Sequence, residues 1–278
     1  MDSATCSESD IDLLTSLYSW WELTDNVSAI DLADQGIVNF DMVDNSSGLP
    51  PAYVHDTDRG DPPGAAVFLQ GDGTGLKAVD APGFYIPTDD NSFTIGIWVK
   101  LGVNAVDGNI LTYHTGTTVR YRLRYMVAAD RFVFSVVGAS GTLNVTANSL
   151  GSPTIGTWYW IELSYDYTSG IAGIRVAPAR TPAGQPLVVE HETGVVPGGL
   201  VRNAGALSLG YYGSGTNFAF EGRAAAVGFW GGLLNDCERG RLNVPSDYPF
   251  PAPVAAGFES EGSDSFAAED GSTTFDPE

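Results

Sequence analysis

Apolar and polar residues alternate along most of the chain. In NSFTIGIWVKL (91 to 101), Phe93, Ile95, Ile97, Val99 and Leu101 fall on one face of an extended segment. Phe132, Phe134 and Val136 do the same in RFVFSV (131 to 136), and Leu187 and Val189 in QPLVVEH (185 to 191). GTWYWIELSYDY (156 to 167) places Tyr159, Ile161, Leu163, Tyr165 and Tyr167 on an apolar face. Its other face, Trp158, Trp160, Glu162, Ser164 and Asp166, is mixed. Turn signals punctuate these runs: DRGDPPG (58 to 64), GDGTG (71 to 75), YTSG (167 to 170) and YYGSGTN (211 to 217), at the close spacing of a sandwich. These criteria give about a dozen strands. Helix finds room only in NDCERGRLN (235 to 243). The predicted class is all-β, an antiparallel β-sandwich with Phe93, Ile95, Ile97, Phe132, Phe134, Ile161 and Leu163 in its core.

Composition agrees with one large all-β domain. The chain has 278 residues, and 43% hydrophobic and 11% aromatic residues can fill a sizeable core. Charge excludes some partners: 34 acidic against 13 basic residues give a net charge of -21, which repels phosphate backbones and anionic membrane surfaces. No nucleic acid or membrane partner is expected. The opening MDSATCSESDIDLL has neither a basic start nor an apolar run, so the expectation is synthesis in a cytoplasm without a signal peptide. Cys6 and Cys237 are the only cysteines and are expected as free thiols.

The texture changes past Pro245. PSDYPFPAP is punctuated by proline, and residues 257 to 278 hold seven acids and no base. The predicted organisation is an N-terminal extension (1–15), a sandwich (16–245) and an acidic tail (246–278), with Phe258, Phe266 and Phe275 as isolated apolar anchors for a partner.

Candidate chemistry is thin. Glu162 and Asp166 share a strand face, but at about 3.3 Å per residue they lie about 13 Å apart. Glycoside hydrolysis needs its two carboxyls about 5 to 9.5 Å apart, so they do not form a catalytic pair. His55, His114 and His191 are far apart in sequence, and GDGTG lacks the strand-loop-helix setting of a phosphate cradle. The expectation is a protein that is not an enzyme. More distinctive is VRYRLRY (119 to 125), where Arg120, Arg122 and Arg124 alternate with Tyr121, Leu123 and Tyr125. Three of the thirteen basic residues then share one strand face. They either pair with acids on adjacent strands and shield the sheet, or form a docking site for a carboxylate-rich partner.

Several stretches, in order, resemble the laminin G-like domains of the concanavalin A-like jelly-roll group. SLYSWWEL (16 to 23) is similar to the opening tryptophan strand, DLADQGIVNF (31 to 40) to the acidic loop and SFTIGIWVKL to the central strand. YRLRY with DRFVFSV is similar to the middle hairpin, GTWYWIELSYD to the following aromatic strand, and GRAAAVGFWGGLLNDCERGRL (222 to 242) to the closing strand and short helix. The resemblance implies two packed antiparallel sheets of six or seven strands, with the opening and closing strands paired.

It also implies a binding or scaffolding module of the kind found in extracellular proteins and bacteriophage virions. The expected function is a non-enzymatic virion structural protein, in the capsid decoration or the tail and fibre apparatus, with other virion proteins or copies of itself as partners. The alternative is a carbohydrate-binding module with glycans as partners and Trp160 as a sugar-stacking ring. Calcium is the only cofactor the resemblance offers, through Asp31, Asp34 and Asp41. Ala225 and Ala226 stand where the family usually carries an acidic pair.

Overall fold

The computed structural model describes residues 17–21, 23, 42–44, 51–55, 64–68, 75–78, 92–103, 107–178, 190–201, 205–210, 220–235 and 238–239. The eight-stranded sheet is built from β1 (Leu17–Trp21), β3 (Ala52–His55), β4 (Gly64–Phe68), β6 (Phe93–Leu101), β11 (Trp158–Asp166), β12 (Ile171–Pro178), β13 (Glu190–Val195) and β15 (Gly222–Trp230). The seven-stranded sheet is built from β2 (Met42–Asp44), β5 (Leu76–Ala78), β7 (Gly108–Thr115), β8 (Thr118–Met126), β9 (Arg131–Gly138), β10 (Gly141–Thr146) and β14 (Ala206–Leu209). Every pairing between these strands is antiparallel. The order is β13-β12-β11-β6-β15-β4-β3 in the first and β10-β9-β8-β7-β14-β5-β2 in the second.

The opening and closing strands pair, with Leu17 opposite Trp230 and Trp21 opposite Val227. β4 takes the other half of the same edge of β15, from Gly222 to Ala224. Two strands thus share one edge, which is why this sheet has eight strands and not the expected six or seven.

The alternation seen in the sequence becomes the core. Phe93, Ile95, Ile97, Val99 and Leu101 of β6 face Phe132, Phe134 and Val136 of β9 in one cluster, each essentially inaccessible. A fully buried side chain of this kind contributes roughly 1.5–3 kcal/mol, so the inner faces dominate the stability. Tyr159, Ile161, Leu163 and Tyr165 of β11 join them, while Tyr167 lies beyond the strand end and is 39% exposed. Rings interlock: Phe93 stacks on Tyr121 at 5.3 Å and on Phe229 at 5.9 Å between centroids.

Cys6, Cys237, the proposed calcium ligands Asp31, Asp34 and Asp41, the segment Leu187 to Val189, and Phe258, Phe266 and Phe275 lie outside the described residues. Among the described residues there is no group of three or more His, Cys, Asp or Glu that could hold a metal ion, and no helix long and apolar enough to cross a membrane.

Candidate functional site

A sandwich offers two outer faces, and here they differ. On the eight-stranded sheet the outward side chains of β11 are Trp158, Trp160 and Glu162, yet their exposures are only 2%, 4% and 2%. The Trp160 ring lies across Gly96 on β6, where a Cβ would meet ring carbons at 2.2 and 2.4 Å, and tilts against Trp98 at 5.5 Å. Glycine is required there because the ring occupies the space a side chain would need.

The residues after β15 fold back over this face. Thr94 Oγ1 donates to the Gly232 carbonyl at 2.7 Å and accepts from the Leu234 amide at 3.3 Å. A capping box then starts the helical turn: Asn235 Oδ1 accepts from the Glu238 amide, and Glu238 Oε2 accepts from the Asn235 amide. Sequence reading anticipated helix there, and the box is its start. The turn aims Arg239 at β11, where its Nε donates to both oxygens of Glu162 at 2.9 and 3.1 Å. Arg175 of β12, opposite Glu162, lies at 3.7 Å.

Glu162 is therefore the buried clasp of a closing segment. Asp166 accepts from the Ser169 and Ser92 hydroxyls and the Thr168 amide, and the Ser169 bond foremost holds its carboxyl below the usual carboxylate range. It fixes a turn. Neither acid is placed as a general acid or base, and Trp160, buried against its own sheet, presents no free ring for a sugar.

The outer face of the seven-stranded sheet is of another kind. Register places one residue from each of six strands in a transverse row: Lys77, Ser208, Thr112, Arg122, Ser135 and Asn144. Arg124 lies two positions along β8, opposite Asn109 and Val133. Both arginines are half-buried. The ladder skips Arg120: Tyr121 pairs with Tyr113 and Val119 with His114, so Arg120 is the extra residue of a bulge. Arg122 and Arg124 are in regular register with β9, while on the β7 side a second irregularity, at Ile110, lies between the partners of Arg124 and Arg122. The partners directly opposite Arg122 and Arg124 are Thr112, Ser135, Asn109 and Val133, none of them acidic. Burial pulls the Arg124 guanidinium below the usual arginine range, and the Asp107 carboxylate opposes the drop.

The floor around the arginines is polar and closed to water. Thr112, Ser208, Ser135, Asn109 and His114 are 1%, 2%, 2%, 3% and 8% exposed. His114 Nδ1 lies 2.8 Å from the Gly116 carbonyl, which can only accept. With Nδ1 carrying the proton, Nε2 is left to pair with the Ser208 hydroxyl, 2.9 Å away. Ser135 donates to Asn144 Oδ1 at 2.7 Å. Thr112 Oγ1, between Ser208 and Arg122, is buried with no hydrogen-bond partner. Thr112, Ser208 and His114 were not singled out from sequence. The alternation in NILTYHT marks Thr112 and His114 as sharing a face, but which strands flank them is a matter of topology.

A cleft of about 260 Å³ opens elsewhere, at the end of β6, lined by Phe68, Lys100, Val103, Glu221 and Arg223 among others. Lys100 sits over the Trp158 ring at 5.9 Å, and the cleft falls below the roughly 300 Å³ at which ligand pockets begin. The transverse polar row is the better candidate.

No protein-family model matches the chain, and no curated protein sequence does. Solved structures do match. Domain 4 of AbnA, an extracellular GH43 arabinanase from Geobacillus stearothermophilus solved in complex with arabinotriose, aligns with a TM-score of 0.52 at 15% identity, covering 82% of this chain and 98% of that one. The binding domain of Paraclostridial Mosquitocidal Protein 1 aligns at 0.56 with 13% identity, and that of botulinum neurotoxin serotype C1 at 0.56 with 11%. Each covers 83% of this chain, which spans about half (52%) of either toxin domain. At these identities the likeness establishes the fold, a jelly-roll β-sandwich.

Proposed function

We propose that the chain is a non-enzymatic, sugar-binding β-sandwich whose ligand lies on the outer face of the seven-stranded sheet. One observation carries this reading: one outer face is closed by the chain's own segment through Arg239 and Glu162, while the other carries half-buried Arg122 and Arg124 over a buried polar floor. Hydroxyl-rich ligands need several polar contacts on a preformed surface, and Lys77, Arg122 and Asn144 are the members of the row that reach the surface. That a domain of the same fold was solved with arabinotriose supports the reading.

Finer family membership, as a laminin G-like domain, is compatible with the paired opening and closing strands and remains part of this proposal. The virion reading came from the laminin G-like resemblance; its expected anchors Phe258, Phe266 and Phe275 lie outside the described residues, and the structural comparisons lend it no support. The sugar-binding reading takes precedence over it. The test is a panel of immobilised neutral and acidic oligosaccharides probed with the full chain. Saturable binding that Arg122→Ala weakens is the expected result, and absence of binding to every saccharide would reject the reading.

A further inference from the structure

We propose that two copies of this chain join through the edge of β10, pairing antiparallel about a two-fold axis so that their seven-stranded sheets become one continuous sheet. The inference is independent of the sugar-binding reading. β1, β2, β3, β10 and β13 each have a described neighbour on one side only. An open edge invites a further strand, and proteins guard such edges with charge, proline, bulges or brevity. β13 carries Glu190 and Glu192, β1 is irregular between Leu17 and Ser19, and β2 and β3 are three and four residues long. β10, GTLNVT, has six residues, no charge and no proline, and its pairing with β9 runs without a bulge.

The ladder fixes which backbone groups face outwards. The Ala147 amide donates to the Phe132 carbonyl at 3.0 Å, one step beyond Thr146 opposite Val133. In an antiparallel pair, residues bonded to the neighbour alternate with residues whose N–H and C=O point away from it. Gly141, Leu143 and Val145 therefore bond to β9, and the amides and carbonyls of Thr142, Asn144 and Thr146 point out of the edge. No turn or loop among the described residues supplies a backbone partner for them. The Thr142 and Asn144 side chains are exposed, and that of Thr146 is half-buried.

The occupant is a second copy because β10 is its own complement. An axis through Asn144 sets the two Asn144 residues opposite each other and Thr142 opposite the partner's Thr146, and all three residues then donate and accept across it. Threonine meets threonine and asparagine meets asparagine on the outer face, while Leu143 meets the partner's Val145 on the inner face. Leu143 is only half-buried in a single copy, against the core and Gly194, so it gains cover. Charge points the same way. Copies with a net charge of -21 repel each other, and an uncharged edge is where that repulsion interferes least. A single strand pair falls short of the roughly 1,000 Å² of a stable interface, so the dimer is weak, and salt strengthens it by screening the repulsion.

The experiment is sedimentation equilibrium of the full chain from about 1 μM to about 1 mM, at low and high salt, with amide hydrogen exchange on the same samples. A reversible monomer–dimer equilibrium that tightens with salt is expected. The Thr142, Asn144 and Thr146 amides should exchange freely in dilute samples and slow severalfold in concentrated ones, while Leu143 and Val145 stay slow in both. Asn144→Lys sets two like charges across the axis and should weaken the dimer at least tenfold, although it lowers the net negative charge. Val103→Lys makes the same change of charge at a position 80% exposed beyond the end of β6, and should not weaken it. Thr142→Lys combined with Thr146→Glu places opposite charges in register across the axis and should keep the dimer, whereas Thr142→Lys combined with Thr146→Lys should abolish it. Thermal midpoints near wild type show that these variants are folded. A monomer at every concentration would overturn the proposal. So would a dimer that survives Asn144→Lys, one that Val103→Lys weakens equally, or one that forms without slowing the three amides.

Discussion

Replacing Arg239 by alanine should loosen the closing segment from the eight-stranded sheet. In the native chain Arg239 Nε donates to Glu162 at 2.9 and 3.1 Å, and Glu162 is 2% exposed while Arg239 is 20% exposed. Removing one partner of a buried pair typically costs about 3–5 kcal/mol because a charge is left uncompensated. Two features reduce that figure here: Arg175 remains 3.7 Å from the carboxylate, and Arg239 is partly solvated. The expected loss is therefore about 2–3 kcal/mol, below that range because of the second arginine and the solvation. For a domain of this size about 2–4 °C of thermal midpoint accompanies each kcal/mol, giving a fall of about 4–12 °C. Glu162→Gln removes the charge that needs a partner, so Arg239→Ala in that background should cost less than in the wild type. Trp160 lies two positions from Glu162 on the same face of β11, so acrylamide should quench the variant's tryptophan emission more strongly. A midpoint within a degree or two of wild type, with unchanged quenching, would refute the reasoning.

Other expectations follow from single contacts. Tyr121 hydroxyl is buried with no partner, and burial pushes its pKa well above the ordinary value, so Tyr121→Phe should be neutral or stabilising by up to about 1–2 kcal/mol in urea unfolding. A loss above that size would mean the hydroxyl has a partner. Gly96→Ala would drive a methyl group into the Trp160 ring and should destabilise by about 1–3 kcal/mol or more, with a shifted tryptophan emission. Burial, and then the hydrogen bond to Asp130, raise Tyr125 from 10.0 to about 12. Its contribution to stability is full below pH 10 and fades as pH rises towards 12, so Tyr125→Phe should flatten that limb of the midpoint-versus-pH curve. An unchanged limb would contradict it.

Much of the fold was legible because each strand's inner face announces itself by period two. All seven core residues expected from sequence are buried. The mixed face of β11 misled in one respect: Trp160, considered as an exposed ring, is buried, because it lies across Gly96 and against Trp98 on β6, some 60 positions earlier in the chain. Local pattern has no access to such a neighbour. The structural roles of Glu162 and Asp166 appeared only once Arg239, Ser169 and Ser92 were placed beside them. The arginine stripe was visible as alternation in VRYRLRY. Its bulge at Arg120, and the row that joins Arg122 to Thr112 and Ser208, arise from strand order, which a linear sequence does not display.

The most direct measurement is an amide-shift titration of the labelled chain with the oligosaccharides of the panel, neutral and acidic. The account expects saturable shifts at Thr112, Arg122, Arg124 and Ser208 on β7, β8 and β14, with Trp160 and Glu162 on β11 unmoved. Shifts centred on β11 and β6, or none at saturating ligand, would contradict it.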